Sequence, residues 1–113
     1  MYNKSKKEGI LMITLKKSKA DLYYQQIKNN PDRLTTEHVE EFLNQEATNV
    51  ILLKTLIDQC TDDTSYNSNL PLMSQCIQHI RTNQLFNVKE QFGFFEFKKK
   101  KYFDKLLKDL EYI

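Results

Sequence analysis

Cys76 and His79 stand three residues apart, a spacing that places two side chains on one face of a helix, and thiol beside imidazole is the pairing used both by zinc sites and by nucleophilic catalysis. Cys60 could join them if the segments around it and around Cys76 pack as an antiparallel hairpin. Structural zinc sites carry paired ligands at both ends, and that pattern is missing here. A Cys nucleophile also needs a base held in place by a third group, and no such group is identifiable in the sequence. The other histidine, His38, lies in the run HVEE. It lacks the neighbouring Glu, and the second His four residues on, of a metalloprotease helix. Asp58, Asp62 and Asp63 lack the alternating ligands and the Gly of a calcium loop. Gly9 and Gly93 are isolated, so neither begins a phosphate-cradling loop. We therefore expect no catalytic residue, no metal and no cofactor. Both thiols fall on apolar stripes, where Cys behaves as a small hydrophobe.

Two charged surfaces remain as candidates for partner contact. The first is the tetralysine Lys98, Lys99, Lys100 and Lys101, flanked by Phe92, Phe94, Phe95, Phe97, Tyr102 and Phe103. Aromatic rings that stack on bases beside lysines that follow phosphate would suit a nucleic acid, and Arg81 would add to them. The plainer reading makes the rings core and the lysines a solvated turn. The second is the acidic start of the segment that opens at Thr36, where Glu37, Glu40 and Glu41, with Glu46 further on, form either a docking face for a basic partner or an ordinary wet face.

Helices must position these groups. From Thr36 to Cys60, Val39, Phe42, Leu43, Ala47, Val50, Leu53, Leu56, Ile57 and Cys60 recur at spacings of three and four, the mark of one dry face, with neither Gly nor Pro to interrupt them. Thr35 or Thr36 is its cap, and the early glutamates face the positive end of its dipole. Ahead of it, Ser18 and Asp21 have the spacing of a capping box for a helix from about Lys19 to Asn29 that buries Ala20, Tyr23, Tyr24 and Ile27. Pro31 stops that helix. The run from Thr61 to Asn69, TDDTSYNSN, reads as a polar loop. A third helix begins near Pro71 and carries Leu72, Met73, Cys76, Ile77 and Ile80, with a break at Asn83 or Asn87. The last helix carries Tyr102, Phe103, Leu106, Leu107, Leu110 and Ile113 on one face, with an Asp104–Lys108 pair four residues apart. Residues 10–15 and 92–98 read either as strands that pair with each other or as helix and arm.

The chain has 113 residues, of which 40% are apolar and 28% charged, with two Gly and two Pro, which suits one ordered helical domain. The fold class expected is mainly α, an antiparallel bundle of four or five helices around a long central helix, with a short two-stranded element as an option. Residues 1–17 would form a basic arm or short strand ahead of a single helical domain over 18–113. Residues 1–31 carry a net charge of +5, residues 32–66 carry −6 and residues 67–113 carry +3. Such a division steers partners or lets the ends fold against the middle. Fifteen of the 17 basic residues are Lys, which leaves few groups for bidentate phosphate or base contacts.

The basic start followed by Ile10–Leu15 is too short for a signal peptide, and Met12 offers a second translation start. No stretch reaches the roughly 20 apolar residues of a membrane span. A cytoplasmic protein with reduced thiols is expected. The function expected is that of a small non-enzymatic regulatory or inhibitory protein, of the kind phages and mobile elements encode, acting through helical protein contacts and able to form a homodimer. The alternative is a DNA-binding regulator that uses its Lys-rich ends.

Overall fold

Helix α1 spans Lys19–Asn29 and opens on the expected capping box: Asp21 N–H donates to Ser18 Oγ at 3.1 Å, and Ser18 N–H donates to Asp21 Oδ2 at 2.9 Å. A computed structural model describes residues 16–30, 35–93 and 96–112 of the chain. The candidate strand over 10–15, Pro31, Phe94, Phe95 and Ile113 lie outside the described residues, as does nearly all of the arm expected over 1–17. Among the described residues there are five helices and no strand. Helix α2 runs over Thr36–Asp58, 23 residues, with Thr35 Oγ1 accepting the His38 N–H at 3.0 Å.

The polar run expected to be a loop is instead the start of helix α3, Asp63–Gln78. Its Asp and Ser side chains serve the helix as a cap. Ser65 N–H donates to Asp62 Oδ1 at 2.8 Å, and Asp62 N–H donates to Ser65 Oγ at 3.0 Å. Tyr66 and Leu70 then extend the apolar stripe of Met73 and Ile77 back by two turns. Pro71 consequently lies inside the helix rather than in its first turn. Its missing N–H leaves the Asn67 carbonyl without its helical donor, and Asn67 is exposed, so water can serve that carbonyl.

The next break falls at His79–Arg81, before either asparagine expected to make it. Asn83 and Asn87 both lie within α4, Thr82–Glu90. Residues 91–93 turn the chain, and α5 occupies Phe97–Asp109. Asp104 pairs across to Lys89 at 2.8 Å instead of along its own helix to Lys108.

Helix α2 packs along α3, and α5 packs against both. The hairpin is antiparallel: after the chain turns at residues 59–62, Arg81 beyond the end of α3 returns to Glu46 near the middle of α2. Leu53, Ile57, Tyr66, Met73, Ile77 and Phe103 lie in the main core, each fully enclosed. Tyr66 stacks on Tyr102 with ring centres 5.5 Å apart and donates its hydroxyl proton to Asp109 Oδ2 at 2.8 Å. Cys60 and Cys76 belong to the same core as free buried thiols. A smaller cluster of Ala20, Ile27 and Phe42, with Tyr24 and Val39 against it, joins α1 to the first half of α2. Tyr23, expected inside, is exposed.

The dry face of α2 differs from the expected one in a consequential way. Phe42, Glu46, Leu53, Leu56 and Ile57 are buried, whereas Leu43 and Ala47 are exposed. The neighbouring helices cover α2 from one side, and that side runs through Phe42 and Glu46 rather than through the next residue of each pair.

Truncating Leu53, which has no exposed surface, removes apolar contacts and leaves a cavity between α2 and its neighbours. Leu53→Ala is expected to lower stability by about 2 to 5 kcal/mol. A thermal melt of the variant beside the parent measures it.

Candidate functional site

Helix α4 begins with Arg81 at its N-cap, a residue whose side chain makes no cap hydrogen bond. The first N–H groups of any helix lack partners within it, and here two carboxylates from other helices supply them. Glu46 Oε2 of α2 accepts the Arg81 N–H at 2.8 Å. Asp21 Oδ1 of α1 accepts the Thr82 N–H at 3.0 Å, and the Thr82 hydroxyl also donates to Asp21. Both negative groups sit at the positive end of the α4 dipole, where they are stabilising.

Glu46 is 4% exposed, and a carboxylate so enclosed needs a counter-charge. Arg81 supplies it in a bidentate pair, Nη2 to Oε1 at 2.8 Å and Nε to Oε2 at 3.0 Å. The guanidinium also lies over the Tyr24 ring, 4.6 Å from its centre. Ser18 Oγ donates to the Ile80 carbonyl at 2.9 Å and so fixes the start of α1 to the end of α3. Burial pushes the Asp21 carboxyl up, but the hydrogen bonds from Thr82 and Ser18 outweigh it and bring it below the usual carboxylate value.

Arg81, expected to contact a partner or a phosphate, is thus occupied inside the fold. Glu46, the fourth acid of the expected docking run, is buried with it. Glu37, Glu40 and Glu41 are all exposed. The basic cluster divides. Lys99 bonds to Asp58 at 2.7 Å and to Glu96, while Lys98 and Lys101 are exposed and Lys100 is half-buried. Of the flanking rings, Phe92, Tyr102 and Phe103 are core residues and Phe97 is exposed. The plainer reading of this cluster is the better one for the buried rings, which are closed to a stacking base.

Sequence reasoning missed an uncovered flank of α2. Glu40, Leu43, Ala47 and Ile51 fall within an arc of roughly 80° on a regular helix. All four are exposed, Ile51 at 66%. Lys54 and Asp58 continue the same arc. Lys54 donates to Gln91 at the end of α4, and Asp58 meets Lys99 at the start of α5. The flank is therefore acidic at its start and apolar in its middle, and it ends at the Asp58–Lys99 ion pair.

Open hollows adjoin α1. One of about 460 Å³ is walled by Lys17, Asp21, Tyr24, Arg81, Thr82 and Phe86, of which Asp21 and Arg81 are already engaged within the fold. One of about 250 Å³ lies between Tyr23, Phe42 and His79. Among the described residues, no three His, Cys, Asp or Glu side chains gather where a metal ion could be held, and no helix is long and apolar enough to cross a membrane. The chain matches no protein-family model, no curated protein and no solved structure.

Glu46→Ala would leave the Arg81 guanidinium and N–H without their acceptor, and is expected to cost about 3 to 5 kcal/mol, as for a broken buried pair. Acid should act through Asp21 as well. Its folded carboxyl titrates lower than in the unfolded chain, so its stabilisation is complete above the unfolded value of about 3.9 and disappears as pH falls through the folded value. Urea titrations over a pH series should show Asp21→Asn less stable than the parent at neutral pH and less sensitive to acid below that value.

Proposed function

We propose that this is a small non-enzymatic regulatory or inhibitory protein that acts by protein contact, and that the uncovered flank of α2 is its docking surface. The observation that carries this reading is the alignment of Leu43, Ala47 and Ile51. Single exposed apolar residues are ordinary on any protein. Three at four-residue spacing make one continuous strip over two turns, and strips of that kind mark contact surfaces. Glu37 and Glu40 at one end favour a partner that brings apolar anchors at helical spacing together with Lys or Arg.

The alternative, a DNA-binding regulator, draws on Lys98, Lys100 and Lys101. It has less in its favour, because Arg81 is paired with Glu46, Lys99 with Asp58, and three of the neighbouring rings are enclosed. What remains would grip phosphate through a few lysines without reading bases.

A photo-crosslinking residue placed at Ile51 in the cells that express the protein is expected to capture a defined protein. The same residue at Asn83, exposed on α4, should not. Introducing Leu43→Asp beside the probe should reduce the captured amount by about tenfold, as loss of a central apolar anchor does. Titration of a fluorescent duplex at several salt concentrations tests the alternative. Measurable affinity whose log–log salt slope flattens by roughly 0.9 for each lysine changed in a Lys98, Lys100 and Lys101→Gln variant would replace the protein-contact reading with DNA binding.

A further inference from the structure

We infer that α1 is a latch, which opens as a unit while α2 to α5 stay folded and so uncovers Val39 and Phe42 on α2. Among the described residues, the main core is built from α2 to α5 and the turns between them, with none from α1. What α1 helps to bury is the small cluster of Ala20, Ile27 and Phe42. The seam is open as well as small. Hollows of about 250, 460 and 190 Å³ lie along it, the last walled by Tyr23, Gln26, Ile27, Asn30 and His38. Side chains that border a hollow lose dispersion contacts on that side.

Polar bonds supply much of the remaining attachment. Ser18 Oγ donates to the Ile80 carbonyl at 2.9 Å, Asp21 accepts from the Thr82 N–H at 3.0 Å, and the Tyr23 hydroxyl meets His38 Nε2 at 2.8 Å. Water replaces each of these partners once the seam opens, so the net contribution of each bond is modest. The start of α4 survives the loss of Asp21. Glu46, from α2, still accepts the Arg81 N–H and guanidinium, and the Thr82 N–H turns to water. An isolated helix of 11 residues is marginal in water, so α1 melts as it leaves. Val39 and Phe42 then join the exposed Leu43 at spacings of three and four on the first half of α2. The latch thus sets how much apolar surface that half of α2 presents.

Residue-resolved hydrogen exchange of the full chain, followed by NMR over a series of urea concentrations below the unfolding transition, tests this. The amides from Tyr23 to Asn29 should share one opening equilibrium, at least about a hundredfold more open than the amides of the main core, as a separate cooperative unit would be. Their urea dependence should be shallow beside that of the core, because the slope follows the surface exposed on opening. Leu53→Ala should speed exchange in the core by at least about thirtyfold and leave α1 unchanged, since Leu53 is enclosed whether the latch is closed or open. Amides of α1 as slow as the core, a urea slope equal to that of the core, or equal acceleration of both by Leu53→Ala would mean that α1 opens only when the whole chain unfolds, and would overturn the latch. Protection that falls away steadily from one end of α1 to the other is fraying, and would overturn it too. The urea series uses the parent alone, so it decides the matter even where Leu53→Ala does not fold.

Discussion

A helix that begins inside a fold must find acceptors for its first N–H groups, and the side chain at the cap of α4 offers none. Arg81 at its cap makes no side-chain cap bond, so Glu46 from α2 and Asp21 from α1 reach the Arg81 and Thr82 amides instead. Much of the remaining arrangement follows. A carboxylate brought that far inside requires a cation, which commits Arg81 to Glu46 and lays its guanidinium on Tyr24. Asp21 can reach Thr82 only if α1 lies across the start of α4, and Ser18, its capping partner, then meets the Ile80 carbonyl. The small apolar cluster of Ala20, Ile27 and Phe42 is modest beside the main core, so α1 depends heavily on these polar bonds for its position.

This constraint also separates what can bind from what cannot. Of the two arginines in the chain, Arg81 is committed to the buried Glu46, and Lys99 of the basic cluster is bonded to Asp58. The first turns of α2 keep Glu37, Glu40 and Glu41 exposed, and the start of α5 keeps Lys98 and Lys101 exposed.

The helices that present a long apolar period were legible in the sequence. The start of α2, the Ser18–Asp21 capping box and the closing stripe from Tyr102 to Leu107 all stand where their spacing put them. The start of α3 was misread because Asp and Ser favour turns in isolation and helix caps when placed three residues apart. The Asp62 and Ser65 pair had that spacing, and Tyr66 and Leu70 already continued the period of Met73 and Ile77. The break before α4 was misplaced for the opposite reason. Its cap comes from residues far off in the chain, so no local pattern marks it. Glu46 was hidden by its type: a glutamate among glutamates reads as wet, although it stands four residues after Phe42 and seven before Leu53, on the period of the buried face.

The same burial explains why Leu43 and Ala47 lie outside. A helix covered from one side turns only part of its circumference inward, and the side through Phe42, Glu46 and Leu53 is the one α1, α3 and α5 cover. Placing Glu46 inward, where it must meet the start of α4, turns Leu43 and Ala47 away from the core by the fixed angle between successive residues. The exposed strip is therefore a geometrical consequence of the internal cap, and the residue that completes it, Ile51, is too exposed for core packing to account for its type. An apolar residue at such a position contributes little to the isolated fold, whereas covering it by another surface would remove apolar area from water and stabilise the pair. The polar demand at one helix start thus sets which face of α2 the protein has left to offer.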